Sequence, residues 1–362
     1  MPQITIQFLD VGQGDGMYIE FPNGVNMIVD LGTTRISKAM KVTPPDIYKY
    51  FGTHTRFKDE KAILNYLIVT HPDGDHYNLV NGFLKALKPE VELFTFGGNY
   101  DLYSDPSWIT NVKKAGAKYF GIVSLPSQIK RPGGFGTGVE VWCLAYDTAP
   151  TTKKSTTAWI KNTNSIVLQI VYNNTKIMLT GDATFDTERE ILAKFKTKQF
   201  KPAALRSNVL KVAHHGSART STCKQWVAAV NPQVVFISSD RSGALDEDEK
   251  TGHRLPQELT LDIIRQYASR LTSAFKTHTY ISSYDPQDYE TSTDPALIDP
   301  KLTATNPLDK SLTGWGRGWY EIPTKEGIFT TLVQMGMGAD ADQGGQYELT
   351  ISDKGDIGVS ST

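Results

Sequence analysis

Ile63-Leu64-Asn65-Tyr66-Leu67-Ile68-Val69-Thr70-His71-Pro72-Asp73-Gly74-Asp75-His76 is an apolar run of strand length that ends abruptly in imidazoles and carboxylates. Leu, Ile and Val dominate Ile63 to Val69, and from Asn78 to Leu87 the apolar spacing becomes helical. The polar cluster therefore occupies a strand-to-helix turn. Pro72 fixes one backbone angle and Gly74 opens conformations closed to other residues, so a short loop can aim alternate side chains at a common centre. Without a cation, His71, Asp73, Asp75 and His76 in one turn would repel or be desolvated at a cost. The pattern His-X-Asp-X-Asp-His at a strand end reads as a metal site. A solvated polar turn is the bland alternative, and it suits a lone His-X-Asp better than this run.

Two further strand ends carry the same chemistry. Ile166 to Tyr172 and Lys176 to Leu179 read as strands joined by a turn at Asn173-Asn174, and the second runs into Thr180-Gly181-Asp182-Ala183. Asp182 thus stands at a strand's carboxyl end. Val209-Leu210-Lys211-Val212-Ala213 is a third apolar run, terminating in His214-His215-Gly216-Ser217. A sandwich or an α/β layer brings such ends together.

With these residues in place, the sequence resembles the metallo-β-lactamase-fold hydrolases, most specifically the branch typified by the soluble catalytic domain of ComEC-type DNA-uptake proteins. Phe8-Leu9-Asp10-Val11-Gly12-Gln13-Gly14-Asp15, Val29-Asp30-Leu31-Gly32, the 71–76 cluster, Thr180-Gly181-Asp182, Leu210 to Ser217 and Gly252-His253 carry the resemblance. They follow the family's order from the first strand to about Tyr280. The resemblance implies an α/β fold, the metallo-β-lactamase αββα four-layer sandwich with insertions, as a single domain over 1–362. It also implies that His71 and Asp73 bind one divalent ion, that Asp75, His76 and one histidine of the 214–215 pair bind a second, and that Asp182 bridges them. His215 is the assigned ligand and His214 the residue that faces substrate.

Asp75 and His214 join His253 as the candidate catalytic set. His253 precedes a helix expected over Pro256 to Arg270, and would protonate the leaving oxygen or bind phosphate, with capping or packing as its alternative. Asn164, Lys211 and Ser217 are candidate substrate contacts. His54 and His278 lack any motif context and read as structural or exposed.

The chain departs from the family twice. Asp73 stands where the superfamily has histidine, which hardens the donor set and makes Mn²⁺ a rival to Zn²⁺, with Mg²⁺ behind both. The third-motif histidine is missing: Lys161-Asn162-Thr163-Asn164-Ser165 holds none, leaving water or the Asn164 amide to fill in. Two ions about 4 Å apart share a water and lower its pKa toward neutrality, making hydroxide the nucleophile. On a phosphodiester the result is an in-line displacement.

Composition narrows the classes. With 362 residues and a formal net charge of −1, the chain has no global basic field of the kind that marks many nucleic-acid binders. Lys194, Lys196, Lys198, Lys201, Arg206 and Lys211 form a local basic stretch, read either as a solvated helix face or as a phosphate path. Cys143 and Cys223 are the only cysteines and imply neither disulfide nor thiolate site. Cytoplasmic residence is expected, with no membrane partner, since no apolar run spans a bilayer. DNA uptake is therefore not inherited from the resemblance.

Remaining segments read as support and insertion. Asp10 to Gly16 is a Gly-rich turn with no following helix, which excludes a phosphate loop and points to hydrogen bonds that support the metal loop. Thr33 to Lys61 is either a basic, aromatic lid or an amphipathic helix packed on the body. Residues 283–325 form a loop-rich insertion, and 326–362 a region whose final hairpin closes the second sheet. Trp315, Trp319 and Tyr320 around Arg317 would stack on bases if exposed. Asp340 and Asp342 lack a calcium loop's ligand spacing.

The leading reading is a metal-dependent phosphodiesterase or nuclease acting on DNA or RNA, with nucleic acid as partner and room for a regulatory protein partner. A hydrolase of a small ester (cyclic nucleotide, phosphocholine-type diester, thioester or lactone) is the alternative. A non-catalytic metal-binding scaffold is the third.

Overall fold

Residues that alternate between two buried faces build both sheets, because each sheet packs on its partner on one side and on helices on the other. The computed structural model describes residues 2–11, 14–33, 44–54, 57, 62–122, 124–150, 156–196, 205–239, 255–271, 279–284, 318–323, 328–330 and 347–361. Its first half runs through β1 (Gln3–Phe8), β2 (Gly16–Glu20), β3 (Asn26–Leu31), α1 (Pro44–His54), β4 (Ile63–Val69), α2 (Val80–Leu87), β5 (Glu90–Phe96), α3 (Ser107–Lys114) and β6 (Lys118–Tyr119). Next come β7 (Ser127–Gln128), β8 (Val139–Ala145), α4 (Thr157–Thr163), β9 (Val167–Tyr172), β10 (Thr175–Leu179), α5 (Phe185–Lys196), β11 (Val209–Lys211), α6 (Lys224–Val230), β12 (Val234–Ile237) and α7 (Glu258–Tyr267). The chain ends with β13 (Thr279–Tyr284), β14 (Gly318–Pro323), β15 (Ile328–Thr330), β16 (Tyr347–Ser352) and β17 (Ile357–Ser361).

One sheet has the order β17-β16-β1-β2-β3-β4-β5-β6 and the other β15-β12-β11-β10-β9-β8-β7, with β13 and β14 as a separate ribbon. Both sheets are mixed: β3, β4 and β5 are parallel, as are β10, β11 and β12. Strand β4 shows the logic. Tyr66 and Ile68 enter the core between the sheets, whereas Leu64, Leu67 and Val69 face the layer of α1, α2 and α3. In β10, Ile177 and Leu179 face the central core and Met178 the helices α5, α6 and α7. Phe8 and Phe236 stack across the sheets with centroids 4.0 Å apart. The four layers are those of the αββα sandwich.

Two expectations are refined. The hairpin of β16 and β17, which turns at Gly355, does not close the second sheet: β16 pairs antiparallel with β1, Ile4 opposite Ile351, and extends the first. Tyr347, Leu349 and Ile351 share one face and need the core already lined by Ile4, Ile6 and Phe8. In the segment 33–61, α1 is an amphipathic helix docked on the body, with Phe51 5.0 Å from Phe83 and Tyr48 Oη donating to Leu79 O at 3.2 Å. Residues 34–43 lie outside the described residues, as do His253, His278, Lys198, Lys201, Trp315, Arg317, Asp340 and Asp342. Among the described residues, no helix is long and apolar enough to cross a membrane.

Candidate metal centre

The carboxyl ends of β3, β4, β10, β11 and β12 converge at one edge of the sandwich, the place where open α/β sheets collect their ligand-binding loops. Close backbone approach builds the loops. A Cβ on Gly32 would lie 2.3 Å from the Asp75 carbonyl carbon, so only glycine lets the turn 74–76 rest on the exit of β3. Gly181, at φ +50°, brings the Asp182 loop against Thr70 in the same way.

Asp182 is the hub. Its Oδ1 is 3.4 Å from His76 Nε2; its Oδ2 is 3.8 Å from His71 Nε2, 3.6 Å from His215 Nε2 and 3.8 Å from His214 Nε2. Asp73 Oδ2 stands 3.7 Å from His71 Nε2, and Asp75 Oδ2 3.3 Å from His215 Nε2. Ligand atoms of His71, His76 and Asp182 fall within 4.8 Å of one another, as do those of Asp75, His76 and His215. The Nε2 atoms of His71, His76 and His215 and Oδ1 of Asp182 are buried without a hydrogen-bond partner. Buried polar atoms left unpaired at one point are what a cation satisfies, so the donor set fits a divalent metal.

Other atoms hold these ligands from behind. His76 Nδ1 is 2.8 Å from Asp30 Oδ2, whose carboxylate also accepts from Thr70 N at 2.6 Å and Thr70 Oγ1 at 2.7 Å. His215 Nδ1 donates to Ser238 O at 2.8 Å, and His214 Nδ1 is 2.7 Å from Thr220 Oγ1. Each of these rings has Nδ1 engaged and Nε2 turned inward, the arrangement in which a partner on one nitrogen fixes a metal ligand on the other. Asp15, fully buried, accepts a hydrogen bond from Lys211 Nζ, and its backbone N–H donates to Asp75 O at 3.0 Å. The Gly-rich turn therefore supports the metal loop, as its sequence implied.

Electrostatics follow from burial against close opposite charge. Burial works against the charge of Asp182, but His215, His76 and His214 outweigh it and hold the carboxyl well below its usual range. Asp75 and Asp73 are lowered against the same desolvation, Asp75 by His215 and His76, Asp73 by His71 and Lys161. Burial also disfavours charge on His76 and His215, yet Asp182 with Asp30 raises the first well above the usual imidazole value, and Asp182 with Asp75 raises the second. In His214 burial wins over Asp182 and pushes the imidazole down to about 4, leaving it neutral at ordinary pH.

The remaining predicted residues fall in different places. His214, expected to face substrate, points Nε2 at Asp182. Lys211, expected to touch substrate, has none of its surface exposed; its ammonium lies under the centre on Asp15, because an unpaired carboxylate there would be too costly. The Asn164 amide is buried at the end of α4, where Nδ2 donates to Ile160 O at 2.6 Å. Asn162, not singled out before, lies behind His214, with Nδ2 3.5 Å from its Nδ1. Ser217 is buried and donates its backbone N–H to His214 O, shaping the histidine loop.

Asp30 and Lys161 also went unassigned. Lys161 Nζ is 3.1 Å from Asp73 Oδ1 with about a fifth of its side chain exposed (19%). Its only sequence signal is its place in the segment that lacks the expected histidine.

The profile of the metallo-beta-lactamase superfamily matches residues 9–224. Among solved structures, the chain is similar to Igni18, a metallo hydrolase from the archaeon Ignicoccus hospitalis, at 12% identity over 64% of this chain and 81% of that one, with a TM-score of 0.38. It is similar to the metallo-beta-lactamase fold protein YhfI from Bacillus subtilis at 11% identity over 65% and 85%, TM-score 0.38. Human tRNase Z, short form, aligns at 11% identity over 65% and 91%, TM-score 0.35. No curated protein sequence matches the chain.

Proposed function

Because the chain belongs to the metallo-beta-lactamase superfamily, we propose that its metal centre hydrolyses phosphodiesters, with nucleic acid as the substrate. One observation carries this reading: Lys161 holds a positive charge 3.1 Å from Asp73 at the partly open side of the centre. An ammonium has three donors and Asp73 uses one, which leaves the others for a non-bridging oxygen of an anionic diester. A neutral lactone or thioester brings no anionic oxygen to that cation in its ground state. The motif order shared with the soluble catalytic part of ComEC-type proteins supports the same reading, as does the oxygen-enriched donor set of Asp73, Asp75 and Asp182.

His71, Asp73, Asp75, His76, Asp182 and His215 would hold two divalent ions, Zn²⁺ or Mn²⁺. Bound there, the ions would lower the pKa of a shared water toward neutrality and draw charge from a phosphoryl oxygen. The residues' own tasks are distinct. Asp182 spans both ligand groups, Asp30 and Ser238 fix the tautomers of His76 and His215, and Lys161 orients the diester. Cytoplasmic residence belongs to the same proposal and agrees with Cys143 and Cys223 being free and buried.

A net charge of −1 favours a small ester as the second reading. Chelator-stripped protein reloaded with Mn²⁺, Zn²⁺ or Mg²⁺ should cleave single-stranded DNA, duplex DNA, RNA or bis(p-nitrophenyl) phosphate, and Asp182→Asn should not. Lys161→Met should lower kcat/KM on the diester about 10- to 100-fold, the weight of a charge-assisted hydrogen bond. Turnover of a lactone or thioester with no diester cleaved under any loading would overturn the proposal. Salt-insensitive turnover of a small diester would assign the second reading.

A further inference from the structure

The segment 161–165 contains no histidine, yet the Asp182 oxygen that faces His71 does not lack a second imidazole. His214 stands there. We propose that both adjacent histidines are metal ligands: His214 joins His71 and Asp73 on one ion, His215 joins Asp75 and His76 on the other, and Asp182 lies between them. His214 thereby replaces the imidazole that the third motif has lost. This rests on the metal-holding reading of the centre, and not on the choice of substrate.

The backbone is the first argument. Neighbouring side chains on a strand point to opposite faces, so an extended His-His pair would aim one ring away from Asp182. Here His214 has φ 50°, ψ 47° and His215 φ 53°, ψ 22°, two successive non-glycine residues in the left-handed region. Such a conformation costs about 1–3 kcal/mol per residue and persists where surrounding structure enforces it. Its consequence is that both rings turn inward, with Nε2 atoms 3.8 and 3.6 Å from the same Asp182 oxygen. The strain is explained if both imidazoles are needed.

The second argument is the hold on each ring. His214 Nδ1 is 2.7 Å from Thr220 Oγ1, matching the 2.8 Å from His215 Nδ1 to Ser238 O and the 2.8 Å from His76 Nδ1 to Asp30. The same anchoring of Nδ1 that fixes His76 and His215 holds His214 with Nε2 toward Asp182, the orientation a ligating imidazole needs. The third argument is divergence. The two rings lie 6.2 Å apart at 74°, so they are not stacked on one another although both Nε2 atoms approach Oδ2 of Asp182. His214 shares Oδ2 of Asp182 with His71, and His215 lies against Asp75.

Equilibrium dialysis of the stripped full chain against Co²⁺ tests this without any substrate. Wild-type protein should take up two ions. His214→Gln should lose one of them, or weaken it about 100-fold or more, the scale of removing a ligand and not merely its support. His71→Gln should lose the same ion, so the double variant His71→Gln/His214→Gln should bind as His71→Gln does.

Circular dichroism checks that each variant folds. If His214→Gln does not fold, Thr220→Val removes only the hydroxyl behind Nδ1 and should weaken that one ion about 10-fold. Two ions bound by His214→Gln at wild-type affinity would overturn the inference, as would losses from His71→Gln and His214→Gln that fall on different ions. Wild-type protein that binds no ion would overturn it together with the metal reading. Two ions bound without diester hydrolysis would leave it standing and refute only the proposed substrate.

Discussion

Replacing Asp30 by Asn tests the support of the centre, because Asp30 backs His76 directly and His71 through the Thr70 hydroxyl. Its buried carboxylate accepts from Thr70 N at 2.6 Å and Thr70 Oγ1 at 2.7 Å, and lies 2.8 Å from His76 Nδ1. Asn is nearly isosteric and tolerates the φ of 57° found at this position. If the new Oδ1 stays on the Thr70 amide, Nδ2 occupies the former Oδ2 place and presents N–H to His76 Nδ1. His76 must then accept there, and its proton moves to Nε2, the atom 3.4 Å from Asp182. The ligating lone pair is blocked.

Escape requires rotating the amide and leaving the Thr70 N–H unpaired, which costs about 1–3 kcal/mol. That converts to a loss in metal affinity of about 5- to 150-fold, in line with the 10- to 100-fold (about 1.4–2.7 kcal/mol) typical of such supporting partners. Competition against a chelator, run with Zn²⁺ and with Mn²⁺ on wild type and variant, measures it directly. Affinities within about threefold for both ions, under 1 kcal/mol, would refute the tautomer argument.

Metal uptake should release protons, since Asp182 raises His76 and His215 above the usual imidazole value in the metal-free protein and both must be neutral to ligate. Affinity should therefore rise with pH through those values; calorimetry showing no dependence of the binding heat on buffer ionisation would contradict this. Glu188, buried and accepting from Thr222 N at 2.6 Å and Cys223 N at 2.9 Å, has its carboxyl pushed by burial from 4.5 to about 7. A raised folded value means that its stabilisation is complete below about 4.5 and is lost as pH climbs through about 7, roughly 3 kcal/mol in all. Glu188→Gln should flatten the denaturant-midpoint profile across that window, and an unchanged slope would count against it. Lys211→Met strands the Asp15 carboxylate and should cost about 3–5 kcal/mol in urea unfolding. Adding Asp15→Asn should recover most of that loss, and a single-variant loss below about 1 kcal/mol would show the pair to be idle.

The donor set was legible in the sequence because it is a local property. His71, Asp73, Asp75 and His76 follow one apolar run, and Asp182 and the His214-His215 pair each follow another, so periodicity alone places them at strand ends. The four layers were legible for a related reason: strands buried on both faces, as β4 and β10 are, require helices outside two sheets. What sequence could not supply is whatever depends on contacts between distant residues. Asp30 meets His76 across 46 positions and Lys211 meets Asp15 across 196. No spacing rule connects such pairs, and a lysine written beside a histidine pair reads equally as a substrate contact or a buried counter-charge. The inward turn of His214 likewise lies in its left-handed backbone, which the packing of 213–217 enforces. Sequence thus determined which candidate donors stand at strand ends, because residue type and strand-end position are written along the chain; only the tertiary structure decided which atoms face the centre and which stand behind them, because that follows from burial and long-range packing.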